Sequence, residues 1–268
     1  MAQAARADLE SLLQRHRLDH TLTSVKPPEA GHDPLPTAVP ALDHVLQGGL
    51  PRGQMSELIG PASSGRTTVL LQLMAATTRE GELVGLVDGL DRFDPASAAA
   101  AGIVLDQVLW LRGHLVSHVG VGRELNQREL TRAIEACALM IQSGGFGLVA
   151  LDLGGLPAAG LRRVPFTTWL RLQRMLEESQ TACVLLGDVP MARSTAGLTL
   201  ALTADHAGPA PASISVGAGF CAGPLRRVRL LEGPRINVQA IHARARWAED
   251  GRCAVATALI GDELRMTN

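Results

Sequence analysis

The sequence predicts an α/β protein: a mainly parallel sheet flanked by helices, extended by antiparallel strands near its C-terminal end. Three observations carry this. Apolar strand-like runs alternate with helix-like runs from residue 53 to residue 188. The strand runs are continuously apolar, as expected for strands covered on both faces. After residue 195 the helical pattern stops, and short strand patterns separated by turn residues take over.

Each element follows in order. Residues 8–18 read as an amphipathic helix with Leu9, Leu12, Leu13 and His16 on one face. Such a helix either folds back on its own core or docks on another protomer. A Pro- and Gly-rich linker follows, so residues 1–35 form a helix with its linker and residues 36–268 the core with its β extension. Residues 37–49 suggest a short helix ended by Gly48 and Gly49. Strands are expected at 53–60, 82–89, 107–113, 146–155 and 181–188, and helices at 66–81, 94–102, 126–145 and 166–179. Further strands are expected at 197–205, 226–233, 235–247 and 253–261. Residues 206–219 form a loop of small residues.

Composition sets limits. Of the 268 residues, 46% are hydrophobic, enough for a large core, and the net charge is −1. A global nucleic-acid signature is therefore excluded, and any basic surface is local. The four cysteines form no C-x-x-C pair and read as reduced core residues of a cytosolic protein. No apolar run reaches the length of a membrane span, and the N-terminus lacks a signal peptide's apolar stretch.

The chemistry centres on "ELIGPASSGRTTVLLQLM", residues 57–74, a strand and a helix joined by a glycine loop. The loop is Gly60, Pro61, Ala62, Ser63, Ser64, Gly65, Arg66, Thr67 and Thr68. Its pattern is G-x-x-x-x-G-K-[ST] with arginine at the lysine position. Backbone N–H groups of such a loop curl around a phosphate, and the helix N-terminus adds its positive dipole end. Thr67 puts a hydroxyl where Mg²⁺ would bind. Asp152 ends the apolar strand "GLVALD", the place of an acid that holds the Mg²⁺ water shell. An ordinary strand-end acid reads the same way.

"LDHVLQGGLPRGQMSELIGPASSGRTTVLLQLMAATTREG" and "LVDGLDRFDPASAAAAGI" together resemble the core of the RecA recombinases, including Asp88 and the Asp94-Pro95 pair. The resemblance spans roughly residues 36 to 205 and is strongest in its first half. It implies a RecA-like P-loop core with ATP and Mg²⁺ as ligands. Three positions depart from the pattern. Arg66 replaces the lysine, and a wide planar guanidinium does not fill the nest as a compact ammonium does. Leu90 stands where the resemblance places a water-positioning glutamate, and the neighbouring Asp91 is expected to point elsewhere. Ser97 stands where an adenine-stacking aromatic is expected. Charge neutralisation and water orientation carry most of phosphoryl-transfer catalysis, so ATP hydrolysis is expected to be lost or very slow. Weak phosphate binding by the backbone stays open. Lys26 is the sole lysine of the chain, so general replacement of lysine by arginine is the alternative explanation of Arg66.

The two loops that grip single-stranded DNA in RecA correspond here to two short segments. Arg162 and Arg163 lie in the first and Arg193 in the second. Arg226, Arg227, Arg229 and Arg235 follow in the C-terminal part. They form either a local stripe for salt-sensitive DNA binding or solvated charges on strand edges.

"DLGGLP", "RRVPFTTWLRLQRMLEES" and "ARSTAGLTL", on a core with worn catalytic positions, also resemble the ImuA-type proteins, sometimes labelled SulA-like or RecA-like. That resemblance implies an SOS-induced accessory protein of mutagenic translesion synthesis. The implied partners are RecA, an ImuB-type inactive Y-family polymerase and a DnaE-type error-prone polymerase. It also implies a cytoplasmic protein, associated with the nucleoid when DNA is damaged, with no membrane contact. The competing readings are a DNA-dependent ATPase or recombinase that uses Arg66, and a cell-division inhibitor.

Overall fold

The computed structural model describes residues 33–115, 123–177, 179–192, 195–205, 235–243 and 252–256. Contacts divide the chain between Gly31 and His32. The expected N-terminal helix, the 206–219 loop and the strand at 226–233 lie outside the described residues.

The second unit opens on a bridge between Leu35 and Leu50, whose N–H groups each donate to the other's carbonyl at 2.8 Å. Between them lies α1 (Pro40–Val45), shorter than the sequence suggests. Val39 offers no capping side chain at one end, and left-handed Gln47 (φ 55°) closes the other. Asp43 Oδ1 accepts the Thr37 N–H at 2.8 Å and braces the entry.

The repeating unit then follows: β1 (Met55–Ile59), α2 (Arg66–Arg79), β2 (Leu83–Asp88), α3 (Pro95–Ala100), β3 (Val108–Arg112), α4 (Arg123–Ser143), β4 (Phe146–Asp152), α5 (Ala158–Leu161), α6 (Phe166–Glu177) and β5 (Ala182–Gly187). After these come β6 (Leu198–Asp205), β7 (Arg235–Ala243) and β8 (Arg252–Ala256). α4 starts three residues before the expected 126, and α5 is a single helical turn in a stretch that reads as loop from the sequence.

All eight strands among the described residues join one sheet in the order β3-β2-β4-β5-β1-β6-β7-β8. The pairings from β3 across to β6 are parallel, and β7 and β8 add on antiparallel. The expected mixed sheet is thus observed. Its strands sort their side chains by parity. Leu148 and Ala150 enter the core under α2, with Leu58, Leu73 and Val184. Val149 and Leu151 enter the opposite core under α4 and α6, with Trp169, Leu172 and Cys137. Burial on both faces is the reason these strands read as continuous apolar runs. Cys137 and Cys183 are free buried thiols, and the Cys137 neighbour together with burial pushes the Cys183 thiol well up.

A carboxyl group is among the polar groups that interrupt this apolar interior. Glu57, in the middle of β1, is fully buried. Its Oε1 accepts the N–H groups of Met191 (2.7 Å) and Ala192 (2.8 Å), and its Oε2 accepts the Thr199 hydroxyl (2.9 Å). A single carboxyl group therefore joins β1, the turn after β5 and β6. Buried N–H groups without acceptors are costly. Glu57→Ala is expected to cost about 3 kcal/mol or more in urea denaturation, because it orphans two N–H groups and a hydroxyl. Glu57→Gln, which keeps one carbonyl acceptor, is expected to cost about 1 kcal/mol.

Candidate functional site

Parallel strands bring their carboxyl ends to one edge of the sheet, where open α/β sheets place ligands. The register shows how tightly that edge is aligned. Asp88 at the end of β2 is level with Asp152 at the end of β4, and Asp152 is level with Leu186 of β5. Ile59 is level with Gly187, so the glycine loop leaves β1 beside the residue that ends β5. The Gly60 N–H donates to the Gly187 carbonyl at 3.2 Å.

The loop has the backbone of an anion nest. Ser63 (φ 61°) and Gly65 (φ 95°) are left-handed, the kind of alternation that curls backbone N–H groups around an anion, while the Ser64 N–H donates to the Pro61 carbonyl at 3.2 Å. Gly65 is required twice over: its φ disfavours a side chain, and a Cβ there would collide with Ile236 of β7. Pro61, Ala62 and Ser63 are exposed, so the mouth of the loop is open to solvent. Ser64 is buried, and its hydroxyl has no partner among the described residues. Thr67 is exposed on the first turn of α2, and Thr68 follows it half-buried.

Beside the loop lies a small cavity of about 90 Å³. Arg66, Thr67, Asp88, Arg92, Phe93 and Asp152 line it, over a floor that includes Leu70, Leu86 and Leu186. Asp88 Oδ2 accepts the Phe93 N–H at 2.7 Å. Asp152 Oδ1 accepts the Gly154 N–H at 2.8 Å. Burial pushes the Asp152 carboxyl above the ordinary carboxylate range, and the nearby Asp88 adds to this. The Gly154 N–H and the Arg66 and Arg92 guanidinium groups oppose the shift.

Arg66 is paired within the protein. Its Nη1 lies 2.7 Å from Oδ1 of Asp188, the residue after β5, and its side chain is only 11% exposed. The contact is an ion pair without an aligned hydrogen bond, since Nη1 is buried and, among the described residues, donates to no acceptor. The guanidinium fills the space beside Gly154, where a Cβ would meet Nη1 at 3.0 Å and Cζ at 3.3 Å. Asp188 Oδ1 also accepts the Gly155 N–H at 3.0 Å. Arg92 reaches the same turn, with Nη1 donating to the Gly154 carbonyl at 3.4 Å.

The other positions singled out in the sequence have structural occupations. Leu90 packs against the core under α4 and α6. Asp91 (φ 54°) faces Arg112 in a two-pronged contact at 2.7 Å for each bond. That hydrogen bonding holds its carboxyl below the usual range. Ser97 belongs to a helix cap: its N–H and hydroxyl both donate to Asp94 Oδ2, at 2.9 and 2.5 Å. Arg162 and Arg163 are exposed after α5. Arg193, Arg226, Arg227, Arg229 and Leu9, Leu12 and Leu13 lie outside the described residues, as does the Arg235 side chain.

Sequence reasoning missed Asp188 and Arg92. Asp188 carried the same signal that marked Asp152, an acid at the carboxyl end of an apolar strand. Arg92 had no such signal, because its place depends on the turn between β2 and α3.

A mostly parallel sheet with a phosphate-type loop after β1 and an acid at the end of β4 defines a RecA-like core. Comparison with known proteins agrees. Residues 29–155 match the RecA N-terminal domain family. Protein RecA of Methylococcus capsulatus is 36% identical over 121 residues, 45% of this chain and 31% of its own. Protein RecA of Herpetosiphon aurantiacus is 33% identical over 119 residues, 44% of this chain and 29% of its own. Protein RecA of Borrelia hermsii is 35% identical over 105 residues, 39% of this chain and 26% of its own. The chain thus spans less than a third of the length of these relatives. The matched segment contains the loop and Asp152 and ends before Asp188.

The donors fit a magnesium–nucleotide in part. The nest suits a phosphate, and a hydroxyl with a carboxylate suits Mg²⁺. The cation that would draw charge from a transferred phosphate does not fit, because Arg66 is held by Asp188. Among the described residues no group of three His, Cys, Asp or Glu gathers to hold a metal, and no helix is long and apolar enough to cross a membrane.

The Asp152 carboxyl gives a test with a definite sign. A carboxyl whose folded pKa is raised binds protons more readily in the folded state, so its contribution to stability falls as pH rises from the ordinary carboxylate range through the raised value. Asp152→Asn removes that burden and keeps an acceptor for the Gly154 N–H. Its melting temperature is expected to exceed that of the wild type at pH 7, and the difference to shrink toward zero near pH 4. Paired thermal melts at the two pH values check this.

Proposed function

We propose that this chain is a RecA-like accessory protein of DNA-damage tolerance that keeps the nucleotide fold without its motor chemistry. The observation that supports this best is the capture of Arg66 by Asp188 at 2.7 Å. The packing of Leu90 and the use of Ser97 as a cap partner support it further. Charge neutralisation, water positioning and base stacking each lack their usual group at this one site. Electrostatic preorganisation supplies most of the acceleration in such catalysis, so its loss removes most of the rate.

The assembly proposed for it is mutagenic translesion synthesis, from the resemblance of "DLGGLP", "RRVPFTTWLRLQRMLEES" and "ARSTAGLTL" to the ImuA-type proteins. Its proposed partners are RecA, an ImuB-type inactive Y-family polymerase and a DnaE-type error-prone polymerase, in the cytoplasm and at the nucleoid. ATP with Mg²⁺ is the proposed ligand of the nest, bound weakly. Among the described residues its proposed DNA contacts are the exposed Arg162 and Arg163.

Phosphate release from Mg²⁺–ATP with single-stranded DNA present tests the first part. Wild type is expected to show no turnover, and Arg66→Lys alone is expected to restore none, because position 90 still offers no carboxylate. DNA-stimulated turnover by the wild type would instead make it a working ATPase. Co-purification with the three partners tests the second part. Leu9→Asp combined with Leu12→Asp is expected to abolish partner binding while leaving the thermal melt of the core unchanged.

A further inference from the structure

We infer that Asp188 is an internal counter-ion of Arg66, so that a polyphosphate ligand engages this guanidinium only by displacing a carboxylate already on it. The inference deepens the reading of this site as a nest without motor chemistry, and rests on it. Three observations carry it. Among the described residues the Arg66 side chain forms one ion pair, with Asp188 at 2.7 Å, and Arg66 also lines the cavity beside the glycine loop. Nη1 is buried yet aligned with no acceptor among the described residues, so charge rather than hydrogen-bond geometry holds the guanidinium there. Asp188 itself is 38% exposed, while Arg66 is largely covered.

The backbone fixes Asp188 in this role. It follows Gly187, whose carbonyl accepts the loop's own Gly60 N–H. Its Oδ1 is also tied to the Gly155 N–H at 3.0 Å. The carboxylate therefore joins the turn after β4 to the first residue of α2. A guanidinium binds carboxylate and phosphate by the same planar donors, so the two anions compete for one cation. A ligand whose receptive state is only a fraction of the population binds more weakly by that fraction.

Asp188→Asn is the direct test. It keeps the size of the side chain and an oxygen for the Gly155 N–H, and it removes the charge. Calorimetric titration of the 268-residue chain with inorganic pyrophosphate is the measurement. Asp188→Asn is expected to bind pyrophosphate roughly tenfold more tightly than wild type. That gain is expected to vanish when Arg66→Ala is added. No gain in a folded Asp188→Asn protein would overturn the inference. A gain that persists with Arg66→Ala would also overturn it, because the carboxylate would then act by repelling the ligand rather than by occupying Arg66. Asp188→Ser, read in the same way, serves if Asp188→Asn does not fold. Failure here is distinct from failure of the accessory reading. ATP turnover by the wild type would sink the accessory reading and leave the pyrophosphate comparison standing. An unchanged pyrophosphate affinity without turnover would do the opposite.

Discussion

A carboxyl group buried in the middle of β1 sets the geometry on which the rest of the site depends. Glu57 receives two backbone N–H groups from the turn after β5 and a hydroxyl from β6. Such a group is costly to bury unless its acceptor positions are used, and here three donors converge on it. The consequence is positional. The turn that begins with Asp188 is held against β1, the strand that carries the glycine loop. Asp188 and Arg66 belong to different crossovers of the sheet, yet they meet at 2.7 Å because their strands are neighbours with fixed register and the turn between them is anchored.

The nest, the helix behind it and the acid at the end of β4 lie together at the carboxyl edge of the sheet. The cation beside the nest is paired internally, and the position two residues past β2 is apolar. Asp152 sits in a setting that raises its pKa, buried, with Asp88 on one side and two guanidinium groups nearby. Ionisable groups at ligand sites often lower stability in this way. The cavity is thus a charged, nearly balanced pocket of two aspartates and two arginines over leucine.

Much of this was legible from the sequence, for identifiable reasons. The parallel strands announced themselves by continuous apolar runs, because both faces are covered. The glycine loop was legible because Gly60, Gly65 and Thr67 fall between a strand and a helix. Asp152 was legible from its place at a strand end. Asp188 was equally marked, but strand-end acids gain meaning only when the strand order is known. β5 lies between β4 and β1, and no local pattern states that. Glu57 was hidden for a similar reason: its partners are more than 130 residues away in sequence. The end of α1 and the single turn of α5 differ from expectation because left-handed residues and short helices leave little periodicity to detect.

Leu90 carries a consequence for what this turn can hold. Its side chain belongs to the apolar cluster under α4 and α6. A glutamate introduced there would bring a charge toward that cluster, at a cost on the order of 1–3 kcal/mol if left unpaired. Position 90 is therefore constrained by packing, and a carboxylate enters this turn only at that cost to the fold.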